Sequence, residues 1–263
     1  MEEFLKNLIS TWWGILIIVL ISITIWILLS AVFYRAFFKR FYDILISLIS
    51  LVCFSPLLIA LTIIGAIKMK GNPFFLQKRP GKKGKDGKEV IFNLIKFRSM
   101  TCEKDADGNY LPDDVRLTKY GKMLRSTSLD ELPELINVLL GHMSLVGPRP
   151  LLVRDMVFMS DDIRNRHNVR GGITGLAQVN GRNSISWEEK FDYDNKYVNT
   201  YSMYLDIKII VSTVIKVINH SGITRDGSAT DIDYGDLLLQ EGKIDKAFYE
   251  EKRLQAREIE NGA

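Results

Sequence analysis

The chain has only two cysteines and three histidines in 263 residues. Cys53 lies in an apolar run and Cys102 in a polar one, so no disulfide framework can be drawn, and a reducing compartment is expected for the polar part. His142, His167 and His220 are scattered, which argues against a zinc site. The glycine- and lysine-rich run from Pro80 to Lys88 lacks the Gly-Lys-Ser/Thr ending of a phosphate loop and reads as a hairpin tip or solvated loop. Asp105, Asp107 and Asn109 surround Gly108, but their spacing and the missing terminal glutamate exclude a calcium loop. Neither sign of charge dominates: 35 Lys and Arg against 31 Asp and Glu leave +4, with a pI near 8.9. That small surplus suits an anionic partner such as a membrane surface, a nucleotide or a phospholipid, and no nucleic-acid partner is expected.

What the chain does have is apolar sequence, 47% in all and much of it before residue 68. Trp12 to Phe33 is uncharged, opens on Trp12-Trp13 and closes on Phe33-Tyr34. A run of about 20 such residues with aromatic ends matches a bilayer core and its headgroup belts. A cleaved signal peptide fits poorly, because the run is long, Glu2-Glu3 precede it and the basic residues follow it. With Lys39 and Arg40 close behind, the positive-inside rule places the N-terminus outside and residue 35 onward in the cytoplasm. A second apolar segment, Phe41 to Ile67, is interrupted by Ser55-Pro56. Proline removes a backbone donor and bends or breaks a helix. Basic residues flank the segment on both sides, Lys39-Arg40 before it and Lys68, Lys70, Lys78 and Arg79 after it. A broken helix that enters and leaves by the cytoplasmic face satisfies both clusters, where an ordinary kinked span would strand one of them.

The polar half begins with a turn at Gly71-Asn72-Pro73, a short strand at Phe74 to Gln77 and a second strand from Val90 to Phe97. Lys96 and Arg98 flank Phe97 at its end, placed for phosphate or for the membrane surface. Thr118 to Thr127 predicts a basic helix or turn carrying Arg125, and Leu135 to Leu140 an apolar helix capped by Gly141. Between them lies Ser128-Leu129-Asp130-Glu131. Read from those four residues alone it is a capping box, with Ser128 as N-cap and Glu131 as its partner. Pro133 counts against a start at Ser128, because its missing N–H would fall beyond the first turn. Either way both carboxylates sit at a helix start, which favours the anion and lowers their pKa. An ionised aspartate is a competent nucleophile toward phosphorus once the substrate's charge is neutralised. Arg125, Arg149 and Lys96, with a divalent ion held by Asp130 and phosphate, would supply that neutralisation. Arg149 stands between Pro148 and Pro150, which fix the backbone around its guanidinium; a solvated surface turn is the competing reading.

From Lys39 to about Asp226 the sequence closely resembles the monotopic bacterial sugar transferases, small phosphoglycosyl transferases acting on polyprenol phosphate. The matching residues are Lys39-Arg40-Phe41-Tyr42-Asp43, Ser55-Pro56, Lys96 to Met100, Leu129-Asp130-Glu131-Leu132, Met143 to Pro150, Gly172 to Arg182 and Leu205 to Ile209. Within that family the run Gly181 to Trp187 looks most like the bacillosamine phosphotransferases of bacterial protein glycosylation. The resemblance implies a membrane-embedded α+β fold with a Ser-Pro-broken re-entrant helix, to which this chain adds an N-terminal span. The expected division is a span over 1–36, a re-entrant helix over 37–70, a catalytic domain with interfacial helices over 71–227 and a polar tail over 228–263. It implies that the residue matching Asp130 takes a phosphosugar from a UDP-sugar, an N-acetylated amino or diamino sugar by the closer likeness. UMP leaves, and polyprenol (undecaprenyl) phosphate then receives the phosphosugar. Glu131 is the assisting carboxylate by the same match, and magnesium is the implied cofactor. Substrate contacts are implied at Lys96, Arg98, Arg125, Arg149, Arg170, Gln178, Asn180, Arg182 and Asp194. The expected location is the bacterial inner membrane, catalytic part facing the cytoplasm.

The alternatives are a hexose-1-phosphate transferase that starts a capsule or exopolysaccharide, and an inactive membrane scaffold of the same fold. The intact Asp130-Glu131 pair argues against the scaffold. One departure stands out: the family's Arg-Pro-Gly is Arg170-Gly171-Gly172 here, which is expected to loosen that loop. Ser202 to Ile218 has helical apolar spacing, fitting either core packing or an interfacial helix. Asp245 to Glu260 predicts a charged helix, read as a solvated, frayed tail; a short oligomerisation hairpin is the other reading, which leaves a homo-oligomer open.

Overall fold

The computed structural model describes residues 11–105, 107–181, 185–219 and 232–262. Arg182, His220 and the expected boundary near residue 227 lie outside the described residues.

The uncharged run forms α1, Trp12–Val32, with the Thr11 hydroxyl accepting from Gly14 N at its start. Its side chains are exposed almost throughout, only Gly14 and Ser30 being buried. An apolar helix this exposed among the described residues has the surface of a membrane segment. A π-helical turn over Tyr34–Phe38 then leads directly into α2, Lys39–Cys53. The chain turns a corner here. Trp26 Nε1 donates to the Tyr42 hydroxyl at 2.9 Å, Ser30 Oγ lies 2.8 Å from the same hydroxyl, and the Trp26 ring meets Phe38 and Phe41 edge-on. Helix α3, Ser55–Lys68, follows α2 after a 65° bend at Phe54. Pro56 occupies the first turn of α3, where its missing donor costs no hydrogen bond, and Ser55 Oγ donates to Val52 O at 2.8 Å across the break.

The polar part opens with an antiparallel hairpin, β1 (Phe74–Lys83) and β2 (Glu89–Phe97), paired from Phe74↔Phe97 to Lys83↔Glu89. Pro80 to Lys83 of the lysine- and glycine-rich run belong to β1, and Gly84 to Lys88 form the hairpin tip. Helix α4, Lys119–Ser126, is capped by Thr118, whose hydroxyl accepts from Gly121 N. It lies so close to β2 that a Cβ on Gly121 would stand 1.8 Å from Ser99 O. Leu124, Tyr120, Phe97, Leu61 and Met69 form one apolar cluster, which ties α4 and β2 to α3.

Helix α5, Glu134–Leu140, ends on Gly141 at φ 87°, as its sequence predicts. Strands β3 (Met143–Val146) and β4 (Gly171–Thr174) pair in parallel. Short helix α6, Val153–Met156, lies between them in the chain. The membrane arm is bolted to this region by polar contacts: Arg40 donates to Val138 O and Leu139 O, and Asp43 accepts from Leu145 N. Helices α7 (Leu176–Asn180), α8 (Trp187–Thr200) and α9 (Met203–Ile218) follow β4. Asp206 of α9 accepts from Tyr34 and Tyr197 and lies 2.7 Å from Lys39, which also donates to Val146 O. Helix α9 buries Asp206 and Ile209 but exposes Tyr204, Ile207, Val211, Val214 and Ile215, a mostly apolar face left open by the described residues.

The C-terminal segment is not frayed. Helices α10 (Tyr234–Gln240) and α11 (Lys246–Gly262) fold back onto the domain, with Ala256 packed among Val153, Met156 and Val157 and Tyr249 stacked on Phe158. Phe248 and Leu254 of α11 remain exposed.

Candidate active site

The carboxylates of the acidic stretch are delivered differently from a capping box. Ser128 adopts the left-handed conformation at φ 55° and caps nothing, Leu129–Glu131 is one 3₁₀ turn, and Pro133 is the residue before α5. Pro133 explains the correction: the regular helix waits until the proline can stand at its N-terminal edge. Asp130 and Glu131 therefore precede α5, while Glu134 opens it. Three and four residues separate Glu134 from the pair, and all three acids converge.

They are not equivalent. Glu131 Oε1 is in contact with the Arg149 guanidinium and lies 3.3 Å from Lys96 Nζ. Glu134, 2% exposed, lies 3.0 Å from the same Lys96. Asp130 makes no hydrogen bond or ion pair among the described residues. Burial pushes Asp130 up, Glu131's charge adds to it, and Lys96, Arg149 and Arg125 pull the other way; the net shift is upward. The lowering expected for Asp130 at a helix start is overridden by burial and by the charge of Glu131, and α5 begins only four residues later. Burial also acts to raise Glu131, but Arg149 and Lys96 outweigh it and hold that carboxyl well below the usual range. For Glu134 burial wins over Lys96, and Glu131 adds to it, so its pKa is pushed up to about 7. Arg149 is raised by Glu131 and, with its side chain 41% exposed, forms an open wall of the site.

The loop carrying Arg149 is held from behind. Arg79 Nη1 donates to Pro150 O at 3.0 Å, and Arg166 Nη2 donates to Arg149 O at 2.7 Å. Arg166 is buried and bonded through Nε and Nη2 to Asp194. Asp194 therefore reaches Arg149 only through Arg166. Arg125 Nε donates to Ser99 Oγ, which orients it beside Asp130. Arg98 follows Lys96 by two residues and has no ion pair with the three acids. Arg170 Nε donates to Gly141 O, at the far end of α5 from Asp130. Gln178 donates to Ile173 O and Asn180 to Leu176 O, both within the α7 region. A Cβ on Gly171, the glycine in place of the family proline, would stand 2.5 Å from Pro150 Cγ, so this residue packs against the Arg149 loop.

Sequence reasoning missed Glu134, Arg166 and Arg79. The first was signalled by its spacing from Asp130 and Glu131, which puts i, i+3 and i+4 on one side of a helical turn. For the two arginines no local pattern exists. Among the described residues no group of three or more acidic, histidine or cysteine side chains could encage a metal. Magnesium, however, is usually held by one or two carboxylates with substrate phosphates completing its shell. Asp130, without a partner of its own, fits that use.

The site sets a carboxylate without an ion pair among fixed cations, beside an apolar helix pair, and by its family and relatives the chain is a membrane-associated phosphoglycosyl transferase. It belongs to the bacterial sugar transferases, whose family model matches residues 33–220. Over 192 residues it is 46% identical to the uncharacterized sugar transferase EpsL of Bacillus subtilis, covering 73% of this chain and 93% of that one. It is 42% identical over 189 residues to the UDP-glucose:undecaprenyl-phosphate glucose-1-phosphate transferase of Klebsiella pneumoniae, covering 68% of this chain and 40% of the relative. A UDP-N-acetylgalactosamine-undecaprenyl-phosphate N-acetylgalactosaminephosphotransferase of Aeromonas hydrophila is 35% identical over 198 residues, 71% of this chain and 45% of the relative. The chain thus spans nearly all of the first and less than half of the other two.

Proposed function

We propose that the protein transfers a sugar phosphate from a UDP-sugar to undecaprenyl phosphate through a covalent intermediate on Asp130. The observation that carries this is the asymmetry of the three acids: Glu131 and Glu134 are engaged by Arg149 and Lys96, and Asp130 alone is unpartnered. A carboxylate oxygen of Asp130 attacks the sugar-linked phosphorus, the bond from that phosphorus to the bridging oxygen breaks, and UMP leaves. A phosphate oxygen of the polyprenol phosphate then attacks the same phosphorus and frees the Asp130 carboxylate. Arg149, Arg125 and Lys96 balance the charge that builds on the phosphoryl oxygens. Glu131 keeps Arg149 and Lys96 in place, and a proton held on Glu134 near neutrality spares the diphosphate a third negative neighbour. Magnesium bound by Asp130 and the diphosphate would add further charge neutralisation.

In this reading α2 and α3 form a re-entrant pair dipping from the cytoplasmic face, α1 crosses the membrane with its N-terminus outside, and the bare face of α9 rests in the headgroup layer. The sugar is the finer question. The relatives' names include glucose and N-acetylgalactosamine, and a galactose phosphotransferase of Salmonella typhimurium is 35% identical. These names favour a hexose or an N-acetylhexosamine over bacillosamine, the sugar suggested by the run Gly181 to Trp187. The test is UMP release from a panel of UDP-sugars with undecaprenyl phosphate and magnesium, followed by mass measurement of the protein. One sugar should release UMP and leave a phosphosugar adduct on wild type, and Asp130→Asn should do neither. Wild-type release rates from Asp130→Asn would falsify the nucleophile.

A further inference from the structure

The Arg149 side chain is 41% exposed, so its place depends on the backbone beneath it more than on packing around it. Arg166 and Arg79 hold the carbonyls of Arg149 and Pro150. From Leu151 onward the same segment is held by the C-terminal helices. Leu151 packs against the buried cluster of Met159, Phe191, Tyr234 and Leu238, two of which belong to α10. Asp155, 3% exposed, joins two segments through one carboxylate: Oδ2 accepts from Leu152 N at 3.3 Å and Oδ1 from Tyr234 N at 3.0 Å. Arg154 Nη2 donates to Asp233 Oδ1 at 3.0 Å, and its Nε lies 2.7 Å from Oδ2. A Cβ on Gly235 would stand 2.3 Å from Phe158 Cε2, so α10 is pressed against the end of this segment. Helix α11 seats Ala256, 2% exposed, among Val153, Met156 and Val157. Its Glu260 carbonyl accepts from Lys78, the neighbour in β1 of Arg79.

We propose that the α10–α11 hairpin is a brace that positions Arg149 for phosphoryl transfer, acting through residues 151–158. Its kinetic part rests on the reaction proposed above; its structural part does not. The path from hairpin to guanidinium is short, since Leu151 and Leu152 follow Arg149 by two and three residues. Pro148 and Pro150 restrict the torsions on either side of Arg149, so a displacement at Leu151 is passed on instead of being absorbed on the way. A group that must meet developing charge tolerates little movement: a misplacement of about 1 Å can cost on the order of a hundredfold in rate. Both helices lie beyond residues 33–220, which the family model matches. Ala256, Tyr234 and Asp233 are therefore positioning residues, reaching the site only through the segment they hold.

The experiment follows hydrogen exchange and UMP release in full-length wild type, Ala256→Asp and Ala256→Ser in mild detergent. Ala256→Asp places a charge where α11 meets α6 and should release the hairpin. Residues 147–158 should then lose protection together with α10 and α11, while α5 keeps its wild-type protection. Ala256→Ser, which keeps the side chain small, should match wild type in both assays. In UMP release, kcat per folded molecule should fall on the order of tenfold in Ala256→Asp, with KM for the UDP-sugar little changed. Wild type alone supplies a second reading that needs no variant to fold: residues 151–158 should exchange through the same opening as α10 and α11, distinct from that of α5. Separate openings overturn the brace, as does wild-type protection of 147–158 in Ala256→Asp. Faster exchange there with kcat unchanged overturns its role in positioning Arg149. If wild type releases UMP from no UDP-sugar, the reaction reading fails, and the exchange results still decide the brace.

Discussion

Glu134 is a carboxylic acid held where its charge is unwelcome, and replacing it with glutamine should make the protein more stable above neutral pH. The ordinary value of 4.5 is pushed up to about 7, by burial first and by Glu131 in addition, against the pull of Lys96. Below pH 4.5 the group is neutral in both the folded and the unfolded chain. Between 4.5 and 7 the unfolded chain gives up its proton first, so the folded state loses stability as the pH rises, and above 7 the loss is complete. At about 1.4 kcal/mol per pH unit that loss comes to about 3 kcal/mol. A glutamine side chain would be neutral throughout and would keep an oxygen for Lys96. The assay is chemical unfolding of wild type and Glu134→Gln in mild detergent at a series of pH values from about 4.5 to about 8. The variant should match wild type at the acid end and exceed it by about 3 kcal/mol near pH 8. A difference that stays constant with pH, or a variant that is the weaker at the alkaline end, would refute the reasoning.

Two further substitutions probe the scaffold around the site. Arg166→Met should cost about 3–5 kcal/mol of unfolding free energy, because it strands the buried Asp194 carboxylate, and adding Asp194→Leu should recover much of it. Unfolding of the single and double variants checks this; equal losses in both would show that the pair carries no coupling. Gly121→Ala should abolish folding or lower the thermal midpoint steeply, because the new Cβ would meet the backbone at Ser99 O, which cannot rotate aside. A normal midpoint for that variant would mean α4 does not sit against the end of β2.

What could be read from the chain in advance follows the range of the interactions concerned. The uncharged run, the break at Ser55-Pro56, the hairpin and the Gly141 cap are set by neighbours within a few residues, and the structure has them close to where the sequence puts them. Ser128 shows where local reading fails: its capping pattern is complete, yet Pro133 defers the helix and leaves Ser128 in a left-handed turn. Asp130 shows the same for charge, since burial by the surrounding fold overrides the helix start. Arg166 and Asp194 are 28 residues apart, and Arg79 meets Pro150 across 71, so neither contact leaves a periodic trace. The docking of α11 was hidden for another reason. Its contact with the domain rests on small Ala256 and on Tyr249 and Ile259, spread thinly through a mostly charged helix.

Asn137 of α5 turns its side-chain amide to β2, accepting from Ile95 N at 2.9 Å and donating to Asn93 O at 2.8 Å. In hydrogen bonding, one side chain stands in for a neighbouring strand. The open edge of a two-stranded hairpin is ordinarily a place where a second chain can add itself, and here that edge is already answered from within. The strand that carries Lys96 is thereby held on its outer side at Asn93 and Ile95, so addition of another strand there would have to break bonds made by α5.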